Sequence, residues 1–171
     1  EEATAAPMAL PSSFDLSGYA RAFQKMQYPR ALMNTVIITV CSLIGIIIVS
    51  AMCGYVLNRK GYYRLSKITF TLLLSGMLFP YQMSILGLYR LIQAMGLMNH
   101  LTAVILIDIA CNVPFATFMF RSFVSTIPAE LEEAARIDGA GTFRTFWTIT
   151  FPLMKPIVAT ILILNALTIW N

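Results

Sequence analysis

The stretch ALMNTVIITVCSLIGIIIVSAMCGYVL, residues 31–57, decides the fold. No charge interrupts it, and a helix of about 20 apolar residues already crosses a hydrocarbon core of roughly 30 Å. The stretch therefore reads as a transmembrane helix. Ser50 and Gly54 stand one turn apart within it, and small residues at that spacing let a neighbouring helix approach closely. The whole composition points the same way. Of 171 residues, 58% are hydrophobic and 12% are charged, whereas a soluble domain carries about 25% charged residues.

Three further spans follow. Residues 65–88 contain SGMLFPYQMS, where Pro80 has no amide hydrogen and its ring opposes the carbonyl of Gly76, so a kink or break is expected. Residues 101–120 carry Asp108, Asn112 and Pro114, and Pro114 is expected to disturb that helix. A fourth span begins near residue 153 and runs to 171. The expected fold is thus all-α, a polytopic transmembrane helical bundle with a core over residues 31–171.

Charge sets the orientation. The link NRKGYYRLSK holds Arg59, Lys60, Arg64 and Lys67 with no acid, which places it in the cytoplasm. Alternation puts residues 121–152 on the same side and residues 1–30 outside. Of the 12 Lys and Arg, only Arg21, Lys25, Arg30 and Arg90 fall on the outer side. Residues 1–30 open on Glu1 and Glu2, lack the basic start and apolar run of a signal peptide, and read as an extracytoplasmic loop. Leu16, Tyr19, Phe23 and Met26 fall near one helical face, with Asp15 or Ser17 as candidate caps, so either an interfacial helix or an aromatic-anchored loop fits.

Cys41, Cys53 and Cys111 all lie in spans, Cys41 and Cys53 ~18 Å apart by helical rise. No CxxC or Cys/His cluster is present, and no cofactor or metal is expected. A membrane-embedded enzyme would need a nucleophile and base together, and His100 has no evident Ser or Cys partner in its motif. A membrane scaffold fits the hydropathy equally well.

Between the third and fourth spans the apolar pattern stops for EEAARIDGAG, residues 132–141. Pro128 suits a first helical turn, Glu130, Glu132 and Glu133 favour the positive end of the dipole, and Gly139 suits a left-handed stop, so a helix over about 128–138 is expected. Ile127, Leu131, Ala134 and Ala135 then share an apolar face, with Glu132 and Arg136 paired at i,i+4 on the other side. Thr142 is a candidate cap for a second short helix carrying Phe143, Phe146 and Trp147, which Pro152 ends. The product is a bent two-helix knob over about 128–152. A small-residue face flanked by carboxylates suits a partner's groove, and a solvated connector has the same pattern.

The spacing of Glu133, Ala134 and Ala135, then Gly139, Ile149 and Pro152, resembles the EAA loop of bacterial binding-protein-dependent ABC importer permeases, with Phe151 where Leu is usual. EAARIDGA is especially similar to the carbohydrate-uptake branch, the maltose and glycerol-phosphate type. The similarity continues through MNTVIITV, MLFPYQMSILGLYRLIQAMGLMNHLTAVIL, VPFATFMFRSFVSTIPAELEEAA and the closing WN. The resemblance implies a transport subunit in the bacterial cytoplasmic membrane, not an enzyme. It implies a cytoplasmic ATPase dimer, a second permease subunit in a homodimeric or heterodimeric pore, and an extracytoplasmic solute-binding protein, with no nucleic-acid partner. Glu133, Ala134, Ala135, Asp138, Gly139, Ile149 and Pro152 would form the ATPase-coupling loop, with Glu133 meeting basic residues of the ATPase and Gly139 making the turn. The chain itself has no GxxxxGK[ST] loop for ATP. Family members have about six spans, so the first and last are expected to be missing.

A solute path needs polar groups within the spans. Asp108 costs about 2.5–3.5 kcal/mol at a helix centre, so it should face protein or water. Asn112 is one turn away, and Gln82, Tyr81 and Phe115 supply hydrogen-bonding and aromatic surface of the kind a carbohydrate needs. Interhelical hydrogen bonding is the alternative role for the polar members of this group.

Overall fold

A computed structural model describes residues 17–59 and 63–170, and among these all regular structure is helical. The chain divides into two compact units, residues 1–36 and 37–171. In the first, Tyr19 and Phe23 of α1 (Ser17–Lys25) and Met26 just after it are exposed, and Phe23 lies against Tyr28 with ring centroids 4.9 Å apart. Leu16 and Asp15 lie outside the described residues.

The opening stretch lies within α2 (Tyr28–Arg59), a single helix of 32 residues. Its many Ile and Val residues are modest helix formers. In hydrocarbon, however, every backbone group needs a partner within the segment, and that requirement overrides propensity. Val40, Ile44, Ile48 and Met52 form an exposed row along it, a surface matched to lipid.

The second expected span is two helices rather than one kinked rod. After α3 (Tyr63–Gly76) residues 77–79 turn, Pro80 is extended at φ −58° and ψ 131°, and α4 (Tyr81–Ala94) departs at 100°. By length and hydropathy this pair makes one broken span or a re-entrant loop. Next, α5 (Leu101–Val124) runs through Pro114 as one helix. Among the described residues α2 and α5 are long and apolar enough to cross a membrane alone, with up to four spans if each bent pair counts as one.

Close packing joins α2 to α5. A Cβ on Gly54 would lie 2.7 Å from the Cβ of Phe120 and 2.9 Å from the backbone nitrogen of Arg121. Ser42 Oγ donates to Asp108 Oδ2 at 3.3 Å, Ser50 Oγ to the Val113 carbonyl at 3.4 Å, and Asn58 Nδ2 to the Arg121 carbonyl at 3.1 Å. The partner numbers rise together, so the two helices run parallel, as two spans separated by one crossing should. The core fills from this seam with Ile46, Ala51, Tyr55, Ala116, Phe120 and Val124, joined by Phe146, Met154 and Ile161 from the C-terminal part. Phe70 of α3 stacks near Phe118 and lies under the Arg121 guanidinium, 3.9 Å from the ring centroid.

The C-terminal part differs in detail from expectation. A helix α6 (Glu130–Ile137) is followed by α7 (Thr142–Thr145), a π-helical turn (Phe146–Thr150), α8 (Phe151–Leu153) and α9 (Lys155–Trp170). Gly141, not Thr142, is the N-cap of α7, without a side-chain cap bond. Nor does Pro152 end the knob. It sits inside α8, where the first turn tolerates it, and the 73° bend falls at Met154.

Candidate functional site

The segment from 127 to 152 is held by one buried carboxylate. Glu132 is 3% exposed and accepts three hydrogen bonds: from Tyr55 Oη at 2.9 Å, Arg59 Nε at 3.0 Å and Thr150 Oγ1 at 3.3 Å. Arg59, 15% exposed, also donates from Nη2 to the Ile127 carbonyl. The end of α2, the chain just before α6, α6 itself and the π-helical turn thus converge on one ion pair. A buried carboxylate needs this satisfaction, because an unpaired charge away from water is strongly unfavourable. The Tyr55 ring completes the packing against Phe146, centroids 5.1 Å apart.

This arrangement corrects the expected facing of α6. Glu132 points inward to Arg59 instead of outward to Arg136, and Ile127, Glu132 and Ala135 make the buried side. The four residues expected to share one apolar face divide: Ile127 and Ala135 are buried, whereas Leu131 and Ala134 are exposed with Glu133 and Ile137. Helical periodicity ranks an acid as outward. It has no access to a partner 73 residues away.

The end of α6 is sharply defined. Gly139 has φ +82°, Ala140 N–H donates to the Ala135 carbonyl at 2.8 Å, and Gly139 N–H donates to the Arg136 carbonyl at 3.0 Å. These are the 6→1 and 5→2 bonds of a Schellman stop, for which a residue without Cβ is favoured. Asp138 caps the helix and is exposed. Beyond the turn, Phe143 is 66% exposed, and Ile137 before it is 87% exposed. Large apolar side chains left this open beside Glu133 and Ala134 form a surface suited to a partner. Ile149 is half-buried in the π-helical turn and Pro152 is exposed. Such turns occur frequently at functional sites.

The residues named for a solute path separate into two places. Asp108 and Asn112 stand together on α5, half-buried, where Asp108 accepts from Ser42 and Asn112 Nδ2 donates to the Asp108 carbonyl at 2.8 Å. Phe115 is half-buried on the same helix, while Tyr81 and Gln82 are exposed at the start of α4. Tyr81 lines a cavity of about 470 Å³ with Tyr89, Ile92, Asn99, His100 and Val104. Asp108, Asn112, Gln82 and Phe115 do not line that cavity. The three cysteines are free, and no group of three or more His, Cys, Asp or Glu among the described residues is placed to hold a metal.

Tyr55, Arg59 and Thr150 carry no local signal as site residues. Arg59 reads as one cation of a basic link, and only the fold brings it to Glu132.

Comparison with known proteins gives this geometry a family. Residues 46–171 match the family described as binding-protein-dependent transport system inner membrane component. The chain is 40% identical over 162 residues to the melibiose/raffinose/stachyose import permease protein MelC of Bacillus subtilis, covering 94% of this chain and 58% of that protein. It is 34% identical over 170 residues to the diacetylchitobiose uptake system permease protein NgcG of Streptomyces coelicolor, covering 99% and 56%. Among solved structures, a bacterial ABC transporter involved in the import of the acidic polysaccharide alginate matches with a TM-score of 0.75 and 27% identity, over 95% of this chain and 56% of that one. The chain spans somewhat more than half the length of the curated relatives it matches. With a family match that covers most of its residues and a helical fold shared with a solved importer, the chain belongs to the binding-protein-dependent transport system inner membrane components.

Proposed function

We propose that this chain acts as a permease subunit of an ATP-driven importer in the bacterial cytoplasmic membrane, moving a sugar or sugar derivative. The observation that carries the reading is the outward face of α6: Glu133, Ala134 and Ile137 are exposed on a helix whose other side is locked by Glu132. Short side chains allow close approach to a groove, and an exposed acid complements a basic one. The occupant of that face is a cytoplasmic ATPase dimer. Residues 59–67 and 121–152 lie in the cytoplasm under this reading, and a solute-binding protein delivers substrate outside. A second permease subunit, different from this one, completes the pore.

In operation, closure of the ATPase subunits around ATP displaces α6, and the joined helices α5 and α9 rock between outward-open and inward-open states. Glu133, Ala134, Ala135, Asp138, Gly139, Ile149 and Pro152 make the coupling surface and its turn. Asp108 and Asn112 contribute to the solute path with Tyr81, Gln82 and Phe115. The sugar assignment is supported by the import permeases for melibiose and diacetylchitobiose among the relatives.

The test is uptake of melibiose, raffinose and diacetylchitobiose by the transporter assembled with its ATPase, compared with a Glu133→Lys variant. Uptake of at least one sugar, lost together with ATPase association in the variant, supports the reading. Normal ATPase association and normal uptake by the variant contradict it.

A further inference from the structure

A buried ion pair joins two segments that the chain connects only through α3, α4 and α5. Glu132 of α6 is gripped by Arg59 and Tyr55 at the end of α2, by Thr150 after the knob, and Arg59 in turn holds the Ile127 carbonyl before it. Two donors come from the last turn of α2 and one from beyond the knob, so α6 cannot rotate or tilt against α2 without breaking charge-assisted bonds away from water. Neighbouring contacts act in the same sense: Asn58 holds the Arg121 carbonyl, and Phe146 packs on Tyr55.

We propose that Glu132 is a positioning residue for energy coupling, making the cytoplasmic end of α2 and the helix α6 one rigid body. A displacement imposed on α6 then reaches α2 directly through Arg59, besides passing along the backbone into α5 and α9. This rests on the reading of α6 as the ATPase-facing helix. It adds that α2, remote in sequence, is driven by the same push. A buried pair that served stability alone would need no particular pair of elements; this one spans the helix that receives force and a helix long enough to cross the membrane.

The experiment uses the transporter assembled with its ATPase subunits in lipid vesicles, with native cysteines replaced and spin labels at Ile48 and Glu130. Both positions are exposed and outside the ion-pair cluster. Double electron–electron resonance measures their separation with and without MgATP. With the pair intact, the distance distribution is narrow and the same in both nucleotide states. In Glu132→Gln it broadens or shifts by ~2 Å or more, the size of an ordinary helix displacement, and ATP hydrolysis no longer responds to the solute-binding protein although the ATPase stays bound. Tyr55→Phe removes one hydrogen bond and keeps both charges, so it gives an intermediate broadening and covers the case in which Glu132→Gln does not assemble. Arg59→Lys, which retains the charge but loses the planar fork, keeps the response only in part.

A distance that changes between nucleotide states with the pair intact overturns the rigid-body claim, as does an unchanged distribution and response in both Glu132→Gln and Tyr55→Phe. Failure of the underlying reading looks different: Glu133→Lys then keeps ATPase association, while the nucleotide-free distance still reports whether Glu132 holds α6 to α2.

Discussion

Replacing Gly54 by alanine adds a single methyl group where the α2–α5 seam brings backbone against backbone. That carbon would sit 2.7 Å from the Phe120 Cβ, 2.9 Å from the Arg121 nitrogen and 3.2 Å from the Phe120 carbonyl carbon. Carbon atoms pack at about 3.5–4.0 Å, so the helices must part by about 1 Å. Phe120 is fully buried, and two of the three atoms met are backbone, so no flexible side chain can yield. Overpacking of this kind costs about 1–3 kcal/mol. Parting the helices also lengthens the bonds from Asn58 and Ser50 to α5, already 3.1 and 3.4 Å; such bonds contribute about 0.6 kcal/mol each in membranes. Alanine returns about 0.8–1 kcal/mol of helix propensity, leaving a net loss of roughly 1–3 kcal/mol. Gly87→Ala is the matched control, because nothing lies within 4 Å of a Cβ there, and it should be neutral or gain up to about 1 kcal/mol. Equilibrium unfolding in mixed micelles, followed by far-ultraviolet circular dichroism, separates the two. If Gly54→Ala is as stable as Gly87→Ala, the seam is not packed as described.

Gly139→Val places a β-branched residue at φ +82°, where the left-handed backbone costs about 1–2 kcal/mol; it should lower ATPase association and uptake while the helix content of the spans, read by circular dichroism, stays unchanged. Asp108→Asn keeps an acceptor for Ser42 Oγ and removes the charge, so assembly should persist while the apparent affinity or sugar preference in vesicle uptake changes; reduced assembly with unchanged uptake by the surviving fraction would assign Asp108 to helix packing instead.

How far these features can be read from the sequence depends on whether their causes are local. The charge-free run of residues 31–57 lies in one helix because length and hydropathy act within the segment. Gly139 could be placed at a left-handed stop from its neighbours alone. Pro80 signalled a break, although the 100° departure of α4 depends on three further non-helical residues. Glu132 shows the opposite case. Its burial depends on Arg59 and Tyr55, whose proximity is a product of the tertiary fold, so amphipathic pattern assigned it to the wrong face. The π-helical turn at Phe146–Thr150 and the continuation of α5 through Pro114 likewise carry no local signal in the amphipathic pattern.

The account depends most on the outward face of α6 being covered by the ATPase. A cysteine at Ala134, in a background without native cysteines, can be labelled with a membrane-impermeant maleimide in inside-out vesicles, before and after the ATPase subunits are bound. Exposure of Ala134 in the isolated chain predicts rapid labelling without the ATPase and strong protection with it, the protection disappearing when Glu133→Lys is introduced. Equal labelling rates with and without a bound, active ATPase would contradict the coupling role of this helix.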